Sequence, residues 1–118
     1  MPSKIVAVLT DLMFTVKISD AAKRAGVAVQ FVKTADDALL RADGAVAMIL
    51  DLNYAPPDLI QRLKSEESTR DIPLVGYVSH VAADVIQRAR AAGCDTVMAR
   101  SAFVEKLPEM MQHFANAA

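Results

Sequence analysis

Cysteine and glycine are scarce in this sequence, and each scarcity removes a class of function. Cys94 is the one cysteine among 118 residues. That excludes an intrachain disulfide and any cysteine-based zinc site. The four glycines leave nothing for a phosphate-cradling loop, because Gly26, Gly44 and Gly93 each follow a helical stretch. Neither a GxGxxG nor a Walker lysine pattern occurs. No long hydrophobic run is present either. The longest uncharged apolar stretch, from Gly44 to Leu50, is far below the ~20 residues a membrane span needs. Neither sign of charge dominates: thirteen basic and fourteen acidic residues give a net charge of −1. There is thus no electrostatic case for nucleic acid. Met1-Pro2-Ser3-Lys4 lacks the apolar core of a signal peptide. The expectation is a soluble cytoplasmic domain that engages neither membrane nor nucleic acid.

What is present is a regular alternation. Hydrophobic residues make up 53% and charged residues 23%, which rules out disorder. The length suits one domain, 1–118, with one core region. Ile5 to Leu9 reads as a strand buried on both faces. A helix follows from Leu12 to Ala25, closed by Gly26. Val27 to Val32 is a second strand. Thr34 then caps a helix, with Asp36 and Asp37 in its first turn, that ends near Asp43-Gly44. Val46 to Leu50, ending in Asp51, is the third strand. Pro56-Pro57 opens a helix to about Glu67. Ile72 to Val78 is the fourth strand, with Pro73 at its start and Gly76 inside it, where glycine signals close backbone approach or a weak point. Ala82 to Ala92 is a helix stopped by Gly93, and Thr96 to Ala99 a short fifth strand. Ser101 caps a last helix, about Phe103 to Phe114, which Pro108 should kink or shift toward Lys106. The order is (βα)5. It predicts a doubly wound parallel sheet of five strands in the order 2-1-3-4-5, in a three-layer α/β/α arrangement. The first and last helices should share one face.

In such sheets ligands bind beyond the carboxyl ends of the strands, where the strand order reverses. Here that places Thr10-Asp11 beside Asp51, with Ser79 and His80 after the fourth strand and Arg100 after the fifth. Two carboxylates, a hydroxyl, an imidazole and a guanidinium converge on one edge.

At these residues a resemblance appears. Met48-Ile49-Leu50-Asp51-Leu52 resembles the phosphoacceptor strand of response-regulator receiver domains, whose third strand ends in an aspartate. Asp71-Ile72-Pro73-Leu74-Val75 resembles the start of their fourth strand. Ala89 to Asp95, reading ARAAGCD, resembles the segment before their fifth. The likeness spans nearly the whole chain and implies a flavodoxin-like fold. It implies a non-enzymatic role in two-component phosphorelay signalling, with Asp51 accepting a phosphoryl group as nucleophile. A weakly held Mg²⁺ would be bound by Asp11, Asp51 and the backbone carbonyl of Asn53. Ser79 would donate a hydrogen bond to the phosphoryl group and Arg100 would pair with it. Implied partners are a histidine kinase or phosphotransfer protein, a downstream protein, and a second copy through the helix-four/strand-five/helix-five face. There Arg88 and Arg90 supply polar contacts and Met110, Met111 and Phe114 apolar bulk.

The pattern departs from that family at named positions. One acid follows the first strand, and Leu12-Met13-Phe14 comes after it. Val78 stands where the hydroxyl belongs, Arg100 replaces lysine, Ser101 replaces proline, and Val97 replaces the aromatic that couples to switching. The expectation is weak Mg²⁺ binding and reluctant switching. Each residue also has a plainer role. Asp51 can be a solvated strand-end acid, Asp11 the N-cap of the first helix, and Ser79 a loop serine. Arg100 can be the partner of Asp51 or Asp11, locking the site unphosphorylated. His80 can be a solvated strand-exit residue rather than a general base, and Cys94 a small core residue. Met110, Met111 and Phe114 can be core. A second reading follows, a pseudo-receiver that binds protein without phosphorylation. A third, a nucleotide- or flavin-binding α/β domain, lacks its loop: Leu12-Met13-Phe14 is the opposite of a hydroxyl-rich flavin loop.

Overall fold

In the computed structural model, which describes residues 3–56, 58–79 and 83–117, strands and helices alternate throughout. The elements are β1 (Lys4–Val8), α1 (Leu12–Ala25), β2 (Ala28–Val32), α2 (Ala35–Arg41), β3 (Ala47–Asp51), α3 (Leu59–Ser65), β4 (Leu74–Val78), α4 (Ala83–Ala92), β5 (Thr96–Ala99) and α5 (Arg100–Ala115). The strands form one parallel sheet in the order β2-β1-β3-β4-β5, as expected from (βα)5 and right-handed crossovers.

The continuous apolar runs of β1 and β3 follow from burial on both sheet faces. Alternate residues serve different layers. Ile5, Ala7, Ala47, Ile49, Val75 and Tyr77 pack with Phe14, Ile18 and Ala22 of α1 and Phe103, Leu107, Met111 and Phe114 of α5. Val6, Val8, Met48, Leu50 and Leu74 pack with residues of α2, α3 and α4. Cys94 is buried in that second layer. Helices α1 and α5 therefore share one face and the other three take the opposite one.

Local chemistry sets the element ends. Gly26 closes α1 in the left-handed region at φ 80° and donates to the carbonyls of Ala22 and Lys23, a conformation that favours glycine. Thr34 caps α2 by accepting from the Asp37 amide at 3.1 Å. That helix ends at Arg41, a little before Gly44, where the Lys4 ammonium donates to the carbonyls of Arg41 and Asp43. Strand β4 begins two residues later than Ile72. Pro73 precedes it, offering its carbonyl to the Met48 amide but having no N–H to give. Gly76 marks a close approach, since a Cβ there would come within 2.7 Å of the Leu52 side chain.

Two helices differ from expectation. Helix α3 is shorter than the span from Pro56-Pro57 to Glu67. Its last carbonyls are taken by a turn in which the buried Thr69 hydroxyl donates to Leu63 and the backbone at Glu66 is already extended. Pro57 and Ala82, expected to open helices, lie outside the described residues. Helix α5 neither waits for Ser101 nor starts near Lys106. It begins at Arg100, Ser101 caps nothing, and the helix runs through Pro108. Burial explains this: Phe103 and Leu107 before the proline, and Met111 and Phe114 after it, all enter one apolar layer. Packing there outweighs the ~3 kcal/mol that an interior proline costs.

Candidate functional site

Asp51 is the last residue of β3 and is half-buried. Its Oδ1 accepts from the Asn53 amide at 3.0 Å. Burial pushes the carboxyl above its ordinary pKa; the Asn53 hydrogen bond and Arg100 act against this, and Asp11 adds to it. Partial desolvation thus makes this carboxylate more basic than an exposed one.

Asp11 follows β1 and caps α1, its Oδ1 accepting from the Met13 and Phe14 amides at 2.9 and 3.2 Å. Its Oδ2 accepts from Arg100 Nη2 at 2.7 Å. The Phe14 amide bond and the Arg100 contacts hold this carboxyl below its usual range, against a smaller effect of burial. The structure pairs Arg100 with Asp11, and the charges of both bear on Asp51.

The guanidinium also lies 4.1 Å from the Phe14 ring centroid, a favourable cation–π distance. Behind it Phe14, Tyr77 and Phe103 form an aromatic group, with centroids 5.0 Å apart for Phe14–Tyr77 and 4.6 Å for Tyr77–Phe103. Tyr77 pairs with Asp51 in the β3–β4 register and is only 2% exposed. Its hydroxyl has no partner among the described residues. Burial first, then the charges of Asp51 and Asp11, push its pKa far up, so the phenol stays neutral.

Ser79 reaches the same edge, but its hydroxyl and its amide both donate to Asn53 Oδ1 at 2.7 Å. The Asn53 side chain thus ties the loop after β3 to the loop after β4. Ser79 and Arg100 share a cleft of about 430 Å³ with Phe14, Val78, Ala99, Ser101 and Val104. Val78 is buried and Val97 packs into the layer of α2, α3 and α4. His80 lies outside the described residues. Tyr77, Phe14 and the Asn53 side chain are not among the residues the sequence reading selected. The signal for Tyr77 was the period of two in β4, which points it and Val75 to one face.

Among the described residues no group of three or more His, Cys, Asp or Glu side chains is placed to hold a metal. Two carboxylates and the Asn53 carbonyl are a thin donor set for Mg²⁺, which prefers six oxygens. They fit an ion held weakly and largely by water. Among the described residues no helix is long and apolar enough to cross a membrane.

The apolar bulk expected on the exposed side of α5 is mostly inside. Met111 and Phe114 are buried core residues and Met110 is half-buried, because they fall on the stripe of α5 that faces the sheet. Arg88 and Arg90 are exposed, Arg88 paired with Asp84 one turn earlier at 2.9 Å. Among the described residues the large exposed apolar side chains are instead Leu12, Met13 and Val16 at the start of α1, Leu40 on α2, and Tyr54 after β3.

The sequence matches no protein-family model and no curated protein. Solved structures do match. The chain resembles the chemotaxis response regulator CheY4 of Vibrio cholerae at 18% identity, over 97% of this chain and 99% of that one, with a TM-score of 0.79. It resembles a response-regulator receiver domain from Rhodospirillum rubrum at 22% identity, over 96% and 94% of the two chains, TM-score 0.77. It resembles the receiver domain of the sensor histidine kinase PA1611 from Pseudomonas aeruginosa PAO1, which has a magnesium ion coordinated in its active-site cleft. There identity is 16% over 98% and 99% of the chains, TM-score 0.79. The fold is that of response-regulator receiver domains.

Proposed function

We propose that this chain is a single receiver-type domain of two-component phosphorelay signalling, with Asp51 as its phosphoryl acceptor. One observation carries the reading: Asp51 ends β3 where the strand order reverses, half-buried, raised in basicity and coupled to Asp11 and Arg100. In this reading Asp51 Oδ2 attacks the phosphorus of a phosphohistidine on a histidine kinase or phosphotransfer protein. The P–N bond breaks, the imidazole leaves with the electron pair, and an acyl phosphate remains on Asp51. Arg100, within electrostatic reach of Asp51, neutralises part of the added charge. Asp11, Asp51 and the Asn53 carbonyl would hold a Mg²⁺ weakly, and that ion would supply further charge neutralisation. The chain acts as acceptor rather than enzyme, and its output is contact with a downstream protein. A homodimer through α4, β5 and α5 would rest on Arg88, Arg90 and Met110.

A second reading is favoured by two contacts. Arg100 is committed to Asp11, and the Ser79 hydroxyl is committed to Asn53. A pseudo-receiver, binding protein with its acceptor silent, can keep both contacts and needs no phosphoryl transfer. Incubation with acetyl phosphate and Mg²⁺, read by intact mass, separates the two. A phosphoryl adduct on wild type that is absent from Asp51→Asn supports the acceptor reading. No adduct after hours supports the silent module.

A further inference from the structure

We infer that the Arg100 guanidinium is the resident cation of the Asp11–Asp51 crevice: its bond to Asp11 competes with a divalent ion, and removing it strengthens Mg²⁺ binding. The argument starts from the backbone. Arg100 is the first residue of α5, whose N-terminus has no side-chain cap and no acid in its first turn. The helix dipole disfavours a cation there, so the position must be compensated from outside the helix. Asp11 provides that compensation at 2.7 Å, and the Phe14 ring supports the guanidinium from its face. Arginine suits this better than lysine, because its planar fork bonds a carboxylate and stacks on a ring at once.

The donor inventory carries the argument further. Both Asp11 oxygens are in use: Oδ1 caps α1 and Oδ2 accepts from Arg100. An ion that recruits Asp11 approaches Oδ2 against the positive charge of a guanidinium bonded to it at 2.7 Å, and binds best once that group has swung aside. An ion that does not is left with Asp51 and one carbonyl, well short of what Mg²⁺ requires to shed water. The crevice also holds only two carboxylates, and one positive charge already offsets half of theirs. The apparent affinity for a cation is therefore the intrinsic affinity multiplied by the fraction of molecules in which Arg100 has swung away.

The test is a Mn²⁺ titration of the isotope-labelled full chain, read by paramagnetic broadening of the Met13, Phe14 and Asn53 amides, with Mg²⁺ as competitor. Wild type is compared with R100A and R100Q; R100Q keeps part of the stem over Phe14 should R100A fold poorly. Both variants are expected to bind Mn²⁺ about tenfold more tightly than wild type, the ratio for a crevice free of the guanidinium in about one molecule in ten. Adding D51N to R100Q should abolish the gain. Unchanged or weaker affinity in folded R100Q overturns the inference, as does a gain that survives D51N. No phosphodonor is involved, so this outcome is independent of whether Asp51 accepts a phosphoryl group.

Discussion

Arg100 and Asp11 are bound by a 2.7 Å hydrogen bond across 89 residues of sequence, joining the N-termini of α5 and α1. The two ends are unequal. Asp11 is at the favourable pole of its helix and Arg100 at the unfavourable pole of its own. Asp11 therefore stabilises both: it caps one helix and compensates the other.

Asp11→Ala should accordingly lower Tm by about 4 °C or more, whereas Asp11→Asn, which keeps the cap oxygen, should lower it less. The carboxyl of Asp11 is held below its ordinary pKa, so its contribution is present at neutral pH and lost as pH falls through the folded-state value. Melting curves at neutral pH and near pH 3 check both statements. Equal losses in the two variants would contradict the capping role.

Asp51 has the opposite sign. Burial raises its pKa, so the folded chain holds that proton to higher pH than the unfolded chain. Stability from this group is lost as pH rises through the folded value. Asp51→Asn should therefore raise Tm at pH 7 by about 2–4 °C, and the gain should shrink as pH approaches about 4. A destabilised Asp51→Asn at neutral pH would show that the half-buried charge is better compensated than its neighbours suggest.

Gly76→Ala should cost about 1–3 kcal/mol, because the new Cβ overlaps a packed side chain. The side chain is that of Leu52, 2.7 Å from the ideal Cβ position. The cost should fall when Leu52→Ala is present in the same chain. Urea unfolding of the two single variants and the double variant measures this coupling.

Pro108→Ala should stabilise the chain by about 1–3 kcal/mol, since Pro108 is an exposed interior residue of α5 with nothing packed in its favour. A neutral or destabilising result in urea would mean that α5 is better with its proline than without it.

The architecture was legible because the sheet repeats one simple message. Ile5, Ala7 and Ile49 face one layer while Val6, Val8 and Leu50 face the other, so unbroken apolar runs announce parallel strands. Thr34, Gly26 and Gly93 marked helix ends through their own backbone chemistry. The start of α5 was not legible, because a local signal at Pro108 was overridden by four buried side chains that meet only after folding. At the site, Asp11, Asp51 and Arg100 were legible as strand-end residues. Which of them would pair was not, because a hydrogen bond across 89 residues leaves no local pattern. The resemblance points to the Asn53 carbonyl, yet it is the Asn53 side chain that holds Ser79. Met111 and Phe114 turned inward because the stripe of α5 that meets the sheet passes through them.

The placement of Tyr77 has an optical consequence. The chain has two tyrosines and no tryptophan, so tyrosine emission is not drained by energy transfer to an indole. Tyr54 is partly exposed and hydrogen-bonded through its hydroxyl to the Lys33 carbonyl. Tyr77 is enclosed by Phe14 and Phe103 and feels the charges of Asp51 and Asp11. Nearby carboxylates quench phenol fluorescence. Intrinsic tyrosine emission therefore carries a component, that of Tyr77, which responds to the charges of the Asp51 crevice, and no dye need be attached to follow what enters or leaves it.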